Sequence, residues 1–392
     1  MIRPLTLLQA ASCTLYALCV SSIALAQQTD TTRPFVRGGI YDKPFATRLA
    51  GRTAIGGYAE AHARFAREDG ATVESGFVAK RFNLFANATV SDIVRFAAEL
   101  EFEDGGEEVK LEFAAIDLRV HQALTVRGGM ILSPLGRFNL SHDSPLNEFT
   151  DRPVASTELV GVALSEPGFG ALGQFGAGSA GRVTYEAYLT NGFHGGLIDD
   201  AEGGTRIPLG RGNLEDNNSQ PAFVGRLAWS PQVGTELGVS THRGAYSVFS
   251  DGGVDIDERR SLAISVVDAE LTYRGTRLAM EAVWASIDVP AALRGIYAER
   301  QSGWYAEVVR PFGRGWIRTL PTSAFALKAR VEAVDFDADL DGDDLRQASG
   351  GVNFRPTEDT VVKLEYVRGR TRDRFAVPTD FARLLLSLAT YF

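Results

Sequence analysis

Cysteine is nearly absent from this chain of 392 residues, and both copies, Cys13 and Cys19, fall within the first 26. That opening segment has the anatomy of a secretory signal peptide: Arg3 as the charged start, a mostly apolar run from Leu5 to Leu25, and Ala24-Leu25-Ala26 as a small-residue cleavage site. Leu18 stands directly before Cys19, which is not the pattern of a lipoprotein anchor. Cleavage after residue 26 would remove every thiol, so neither disulfide staples nor cysteine chemistry are expected in the mature protein. Long apolar runs are also missing: past residue 26 no stretch of about 18 apolar residues offers a membrane helix. Methionine is scarce, at three, whereas glycine reaches 41, a balance that suits short strands and tight turns. Positive charge is in deficit, with a net −9 for the whole chain, and this argues against nucleic acid as a partner. The five histidines show no H-x-x-x-H spacing for zinc, and no cofactor is expected.

What the chain does contain is alternation. After an irregular lead-in over residues 27–52, Tyr58, Glu60, His62 and Arg64 alternate with Ala59, Ala61, Ala63 and Phe65. Arg95, Glu99 and Glu101 likewise alternate with Val94, Phe96, Ala98, Leu100 and Phe102. A helix would scatter those charges around its circumference, whereas a strand places them all on one side. The same grammar continues to Phe392 and gives sixteen candidate strands within residues 53–392. Connections after even-numbered strands are mostly short, such as Arg274 to Thr276. Several after odd-numbered strands are long and collect acids, Gly and Pro, as in 132–167, 194–221 and 243–261. Short periplasmic turns and long extracellular loops organise a transmembrane antiparallel β-barrel. A sheet in lipid satisfies all its backbone groups only by closing on itself, and about sixteen strands leave room for an aqueous lumen. The expected fold is therefore an all-β barrel in the bacterial outer membrane, in contact with its lipid.

The inward rows supply the candidate pore-lining residues: Arg64, Arg81, Arg95, Glu99, Arg119, Arg127, Lys328, Arg330, Glu332 and Lys363. Opposed charges around a water-filled passage sort hydrated solutes and ions. The longest connection, 132–167, is a candidate constriction loop, carrying Arg137, His142, Asp143, Glu148, Asp151, Arg152 and Glu158. Such a loop could instead be a solvated cap. His142-Asp143-Ser144 holds the residue types of a hydrolytic triad, which keeps an outer-membrane hydrolase as an alternative, beside a non-channel adhesin or receptor barrel. Asp337-Ala-Asp339-Leu-Asp341-Gly342 begins like a calcium loop but has Ala348 at its twelfth position. Gly168 to Gly173 and Gly176 to Gly181 both fit G-x-G-x-x-G, though neither opens a helix, and close strand contacts explain them better.

Two resemblances sharpen the expectation. The final strand, with Leu384, Leu386, Leu388 and Phe392 in one row and the carboxylate directly after Phe392, resembles the C-terminal strand of Gram-negative outer-membrane barrels, which implies the barrel-assembly machinery as a partner. Arg127-Gly-Gly-Met-Ile-Leu-Ser-Pro134-Leu-Gly136 resembles the strand-to-loop motif of the phosphate-selective porin O/P family, with shorter matches at Val267 to Gly275 and Gly351 to Phe354. That family implies a sixteen-stranded homotrimeric channel passing small hydrophilic solutes or ions by passive diffusion. Phosphate selectivity does not follow, because the family's lysine is replaced by Ile131 or Leu132 and the loop is net acidic. The expected protein is a porin and not an enzyme, with the sign of its selectivity open.

Overall fold

The computed structural model describes residues 39–44, 47–49, 52–121, 123–176, 178–199 and 203–392, all within one compact unit. The expected signal peptide, 1–26, and most of the lead-in lie outside the described residues. Sixteen strands form the barrel. The first five are β1 (Thr53–Glu68), β2 (Ala71–Thr89), β3 (Val94–Glu103), β4 (Glu108–His121) and β5 (Leu124–Leu132). They are followed by β6 (Ser165–Gly176), β7 (Arg182–Thr190), β8 (Ala222–Ser230), β9 (Thr235–Ala245), β10 (Ser261–Tyr273) and β11 (Thr276–Ile287). The circle is completed by β12 (Arg300–Phe312), β13 (Ala324–Asp335), β14 (Asp344–Arg355), β15 (Thr360–Arg372) and β16 (Pro378–Tyr391). Each pairs antiparallel with its neighbours in sequence, and β16 closes on β1 from Phe381↔Glu68 to Tyr391↔Tyr58. No barrel edge is left unpaired.

All sixteen expected strands are present, most with ends shifted by a few residues, but β2 begins at Ala71, ten residues before the expected Arg81. Ser165 to Pro167, read as loop from sequence, begins β6 because Leu132 already pairs with Ser165. The long 132–165, 190–222 and 245–261 connections share the extracellular end; the other end carries short turns apart from the 313–323 connection. At the short-turn end Arg274 and Gly275 connect β10 to β11 with φ of 48° and 77°. Such a two-residue hairpin turn requires positive φ at both positions, which glycine adopts freely.

Alternation decides the two faces. On β16, Leu384, Leu386, Leu388 and Phe392 are exposed on the outside, whereas Leu385, Ser387, Ala389 and Tyr391 are buried inside. Phe392 stacks on Phe82 with ring centroids 5.5 Å apart, and exchanges backbone hydrogen bonds with Gly57 at 3.0 and 3.1 Å. A Cβ on Gly57 would lie 2.2 Å from the Asn83 carbonyl oxygen and 2.6 Å from the Phe392 ring, so only glycine fits at this seam. A short strand, Thr47–Leu49, pairs with Thr53–Ile55 beyond the end of β16.

Candidate functional site

The long connection between β5 and β6 runs into the barrel. Its backbone polar groups leave water and must be matched inside, and the charged inner wall does this. At one end the Gly136 N–H donates to Ser240 Oγ (2.8 Å), the Phe138 N–H donates to Glu281 (3.2 Å), and the Arg137 guanidinium reaches Glu270 (3.0 Å). Across the barrel, Lys363 Nζ donates to the carbonyls of Ser144 (2.9 Å) and Phe149 (3.1 Å), and Lys328 Nζ to that of Glu148 (2.7 Å). Arg330 donates to the Asp151 carbonyl (3.0 Å), while Glu332 accepts from the Val154 N–H (2.6 Å). Lys328, Arg330, Glu332 and Lys363 thus point inward but are buried beneath the loop rather than facing open space.

Apolar packing fills another sector. The inner rows of β8, β10 and β11 present Val224, Ile264, Val266 and Val283, on which Leu135, Leu159 and Val160 of the loop are packed. The β7–β8 connection folds in as well, through two 3-10 turns, and adds Leu197 and Ile207 to the same cluster. Sequence reasoning missed this core. Its signal was β10 itself, where Leu262, Ile264, Val266 and Val267 make both faces largely apolar, the mark of a strand covered on both sides.

What remains is a cavity of about 990 Å³ between the loop and the wall of β1–β4. His62, Arg64, Arg81 and Glu101 line it from the strands, and Asp151, Arg152 and Glu158 from the loop. Arg64 pairs with Asp151 (2.6 Å) and Glu74 (3.0 Å), Arg81 with Glu103 (3.1 Å), and Arg383 with Asp151 (3.5 Å). Arg152 lies 3.8 Å from Glu101, and its Nε and Nη2 make no hydrogen bond within the protein. Arg211 donates to two carbonyls, of Gly161 and Pro208, with no acid paired to it among the described residues. Burial, then the nearby Arg152, lowers the Arg211 pKa. Burial pushes the Asp151 carboxyl up, but the hydrogen bond and charge of Arg64, with Arg383, hold it below the ordinary carboxylate range. Burial lifts Glu158, and Arg206 and Arg211 only partly offset this.

The remaining expected pore residues lie elsewhere on the inner wall. Arg127 is closed against Asp117 (2.7 and 2.8 Å). Arg95 stacks on the Tyr41 ring at 3.7 Å, and Arg119 is exposed at the short-turn rim, donating to the Asp92 carbonyl. Glu99 accepts from Asn83 (2.6 Å) and pairs with Lys43 (3.0 Å).

Lys43 comes from the lead-in, where no period announced it. Its ammonium lies between Glu99 and Asp143 (2.5 Å), over the Phe85 ring at 4.7 Å. Ile40 packs with Ala97, Phe113 and Leu132, and the Gly39 N–H donates to the Leu140 carbonyl (2.9 Å). The lead-in therefore braces the back of the inward loop. Burial works against charge on Lys43, but Asp143, Glu99 and Glu112 raise its pKa above the ordinary lysine range. Burial likewise pushes Asp143 up, and Lys43 and His142 reverse this to a lowered pKa.

His142, Asp143 and Ser144 do not face one another. The His142 ring nitrogens lie 2.8 Å from the Asn139 carbonyl and 2.8 Å from Glu112, the Ser144 hydroxyl donates to Glu60 (2.5 Å), and Asp143 accepts from Tyr391 (2.9 Å). No nucleophile–base pair exists in this run, so the triad composition has no triad geometry. Burial, reinforced by Arg152, lowers the His142 pKa to about 4. The Asp337–Gly342 run is also accounted for: Asp339 pairs with Arg300, and Asp341 with Arg372. Gly170, in the first glycine-rich run, brings two strands into close contact, since a Cβ there would meet the Ala187 carbonyl oxygen at 2.1 Å.

No protein-family model matches the chain. An uncharacterized protein of Aquifex aeolicus (strain VF5) is 24% identical over 357 residues, covering 82% of this chain and 76% of that protein. Among solved structures, the outer membrane channel DcaP of Acinetobacter baumannii superposes with a TM-score of 0.56 at 14% identity, covering 89% of this chain and all of that one. OmpF of Salmonella typhi gives 0.55 at 11% identity over 88% of this chain and 99% of that one, and an anion-selective porin from Comamonas acidovorans gives 0.52 at 11% over 87% and 99%. These likenesses show the fold. With its closed sheet and apolar outer rows, the chain has the fold of these outer-membrane β-barrels.

Proposed function

We propose that this barrel is a porin through which small hydrophilic solutes and ions diffuse passively, and that the β5–β6 loop sets its constriction. The observation that carries this is the cavity of about 990 Å³, held open between the loop and the β1–β4 wall and lined by charge of both signs. The loop is tied to the opposite wall by backbone hydrogen bonds to Lys363, Lys328 and Arg330, so the passage is confined to one side of the lumen. Small solutes pass by size, and the mixed field of Arg64, Arg81 and Glu101 on the wall and Arg152 and Glu158 on the loop tunes which of them enter.

A preference for anions, inorganic phosphate among them, is the finer part of the proposal. The loop is acidic in sequence, but Asp143, Glu148 and Asp151 are each engaged by a cation: Lys43, Arg355 and Arg64. Arg152, whose nearest acid, Glu101, stands 3.8 Å away, and Arg211, without an acid partner among the described residues, leave positive charge at the passage. The Arg127-to-Gly136 motif supports kinship with O/P-type porins, and the trimeric assembly that such kinship implies is proposed with it. Reversal potentials in a salt gradient test the selectivity: anion preference that drops on Arg152→Ala is expected, and cation preference in the unmodified protein would reject it.

A further inference from the structure

The outer wall carries charge where an outer wall should be apolar. On β16 the outward row runs over the nine residues from Leu384 to Phe392, about 20 Å of height at a typical strand rise and barrel tilt, close to the apolar band a membrane barrel needs. Leu384 pairs with Tyr366 and Ala382 with Arg368, so the arginine stands one step above that band, toward the extracellular loops. Arg370 follows it on the same outward row of β15, and Arg346 lies directly opposite Arg370 on β14. Like charges directly opposed on neighbouring strands destabilise a sheet. Asp380 pairs with Arg370 at 2.6 Å and Asp344 approaches Arg346 at 3.7 Å, but Arg368 has no ion pair among the described residues. These three side chains, with Asp380 beside Arg370, rim a groove of about 410 Å³ whose floor includes Trp304, Val331 and Ala348.

We propose that this groove binds a phosphorylated lipid of the outer leaflet, with its phosphate between Arg346, Arg368 and Arg370 and the first carbons of an acyl chain over Trp304, Val331 and Ala348. Three points support a lipid as the occupant. Guanidinium forks match phosphate oxygens, and Arg368 stands at the groove without a carboxylate ion-paired to it among the described residues. The height is that of the headgroup layer, just past the last outward leucine. The floor is apolar, which a free inorganic anion would not need but an acyl chain does.

The test uses the full mature barrel refolded in neutral detergent and titrated with diphosphorylated lipid A, with bound lipid counted by native mass spectrometry. Retention that falls by about tenfold or more in the Arg346→Gln/Arg368→Gln double variant is expected, which corresponds to losing one good charge-assisted contact. Arg314→Gln, an exposed arginine elsewhere on the barrel, should leave retention unchanged. Equal retention by the double variant, or equal binding of the dephosphorylated lipid, would overturn the proposal. Displacement by millimolar inorganic phosphate, with the acyl chains contributing nothing, would assign the site to a free anion and overturn it too. Should the double variant fail to fold, Arg368→Gln alone and the comparison of the two lipids on the unmodified protein decide the matter.

Discussion

Replacing Lys363 by Met separates the loop from its wall with little change to the wall itself. The Lys363 ammonium is fully buried and donates to the carbonyls of Ser144 and Phe149 at 2.9 and 3.1 Å. Hydrogen bonds to a charged group contribute about 1.5–3 kcal/mol each, so the inward position of the loop loses roughly 3–6 kcal/mol. Part of this is recovered because Met does not carry the desolvation cost of a buried ammonium, which leaves about 2–4 kcal/mol. That raises the population of displaced loops by roughly 30- to 1000-fold. The strand ladders do not use the side chain, so the heat-modifiable mobility of the barrel on gels should be unchanged. Single-channel recordings should then show a larger mean conductance and more open-channel noise. Conductance and noise identical to those of the unmodified protein would refute the claim that this lysine holds the constriction.

Acid should act in the same direction. A displaced His142 takes up its proton near its ordinary pKa of 6.5, whereas the buried one resists until about 4. Between those values the displaced state binds more protons, and each unit of acidification favours it by about 1.4 kcal/mol. Channel noise should therefore rise between pH 6.5 and 4 and lose much of that pH dependence in His142→Gln; a flat profile in the unmodified protein would contradict this. Lys43→Met leaves Asp143 and Glu99 without their shared cation and should cost about 3–5 kcal/mol, read as a lower thermal midpoint of barrel unfolding. An unchanged midpoint would mean that the lead-in does not brace the loop. Gly57→Val should sharply reduce refolding yield, because its side chain would collide with Phe392 and the Asn83 carbonyl; normal yield would show that the seam tolerates bulk.

The barrel was legible because a strand with one wet and one greasy face writes itself as period two, and because turn length sorted by parity. The residues that shape the interior were only partly legible. Alternation places Lys328 and Lys363 on the inner face but is silent on what covers that face, and the covering loop turns them from lining groups into anchors. The apolar upper part of the inner rows of β8, β10 and β11 was readable in principle, since Val224, Ile264, Val266 and Val283 stand where a water-filled lumen would call for polar side chains. Lys43 could not have been found, for a single lysine in an aperiodic segment gains its partners only from the tertiary fold. The outward arginines Arg346, Arg368 and Arg370 stand out only once register fixes their height relative to Leu384.

The central claim is that an open, loop-narrowed passage crosses the barrel, and conductance of the refolded mature protein in a planar bilayer measures it directly. Discrete, ohmic single-channel steps, with a reversal potential in a salt gradient displaced toward anions, are the expected result. A correctly folded, heat-modifiable barrel that stays silent at every voltage and salt concentration would contradict it.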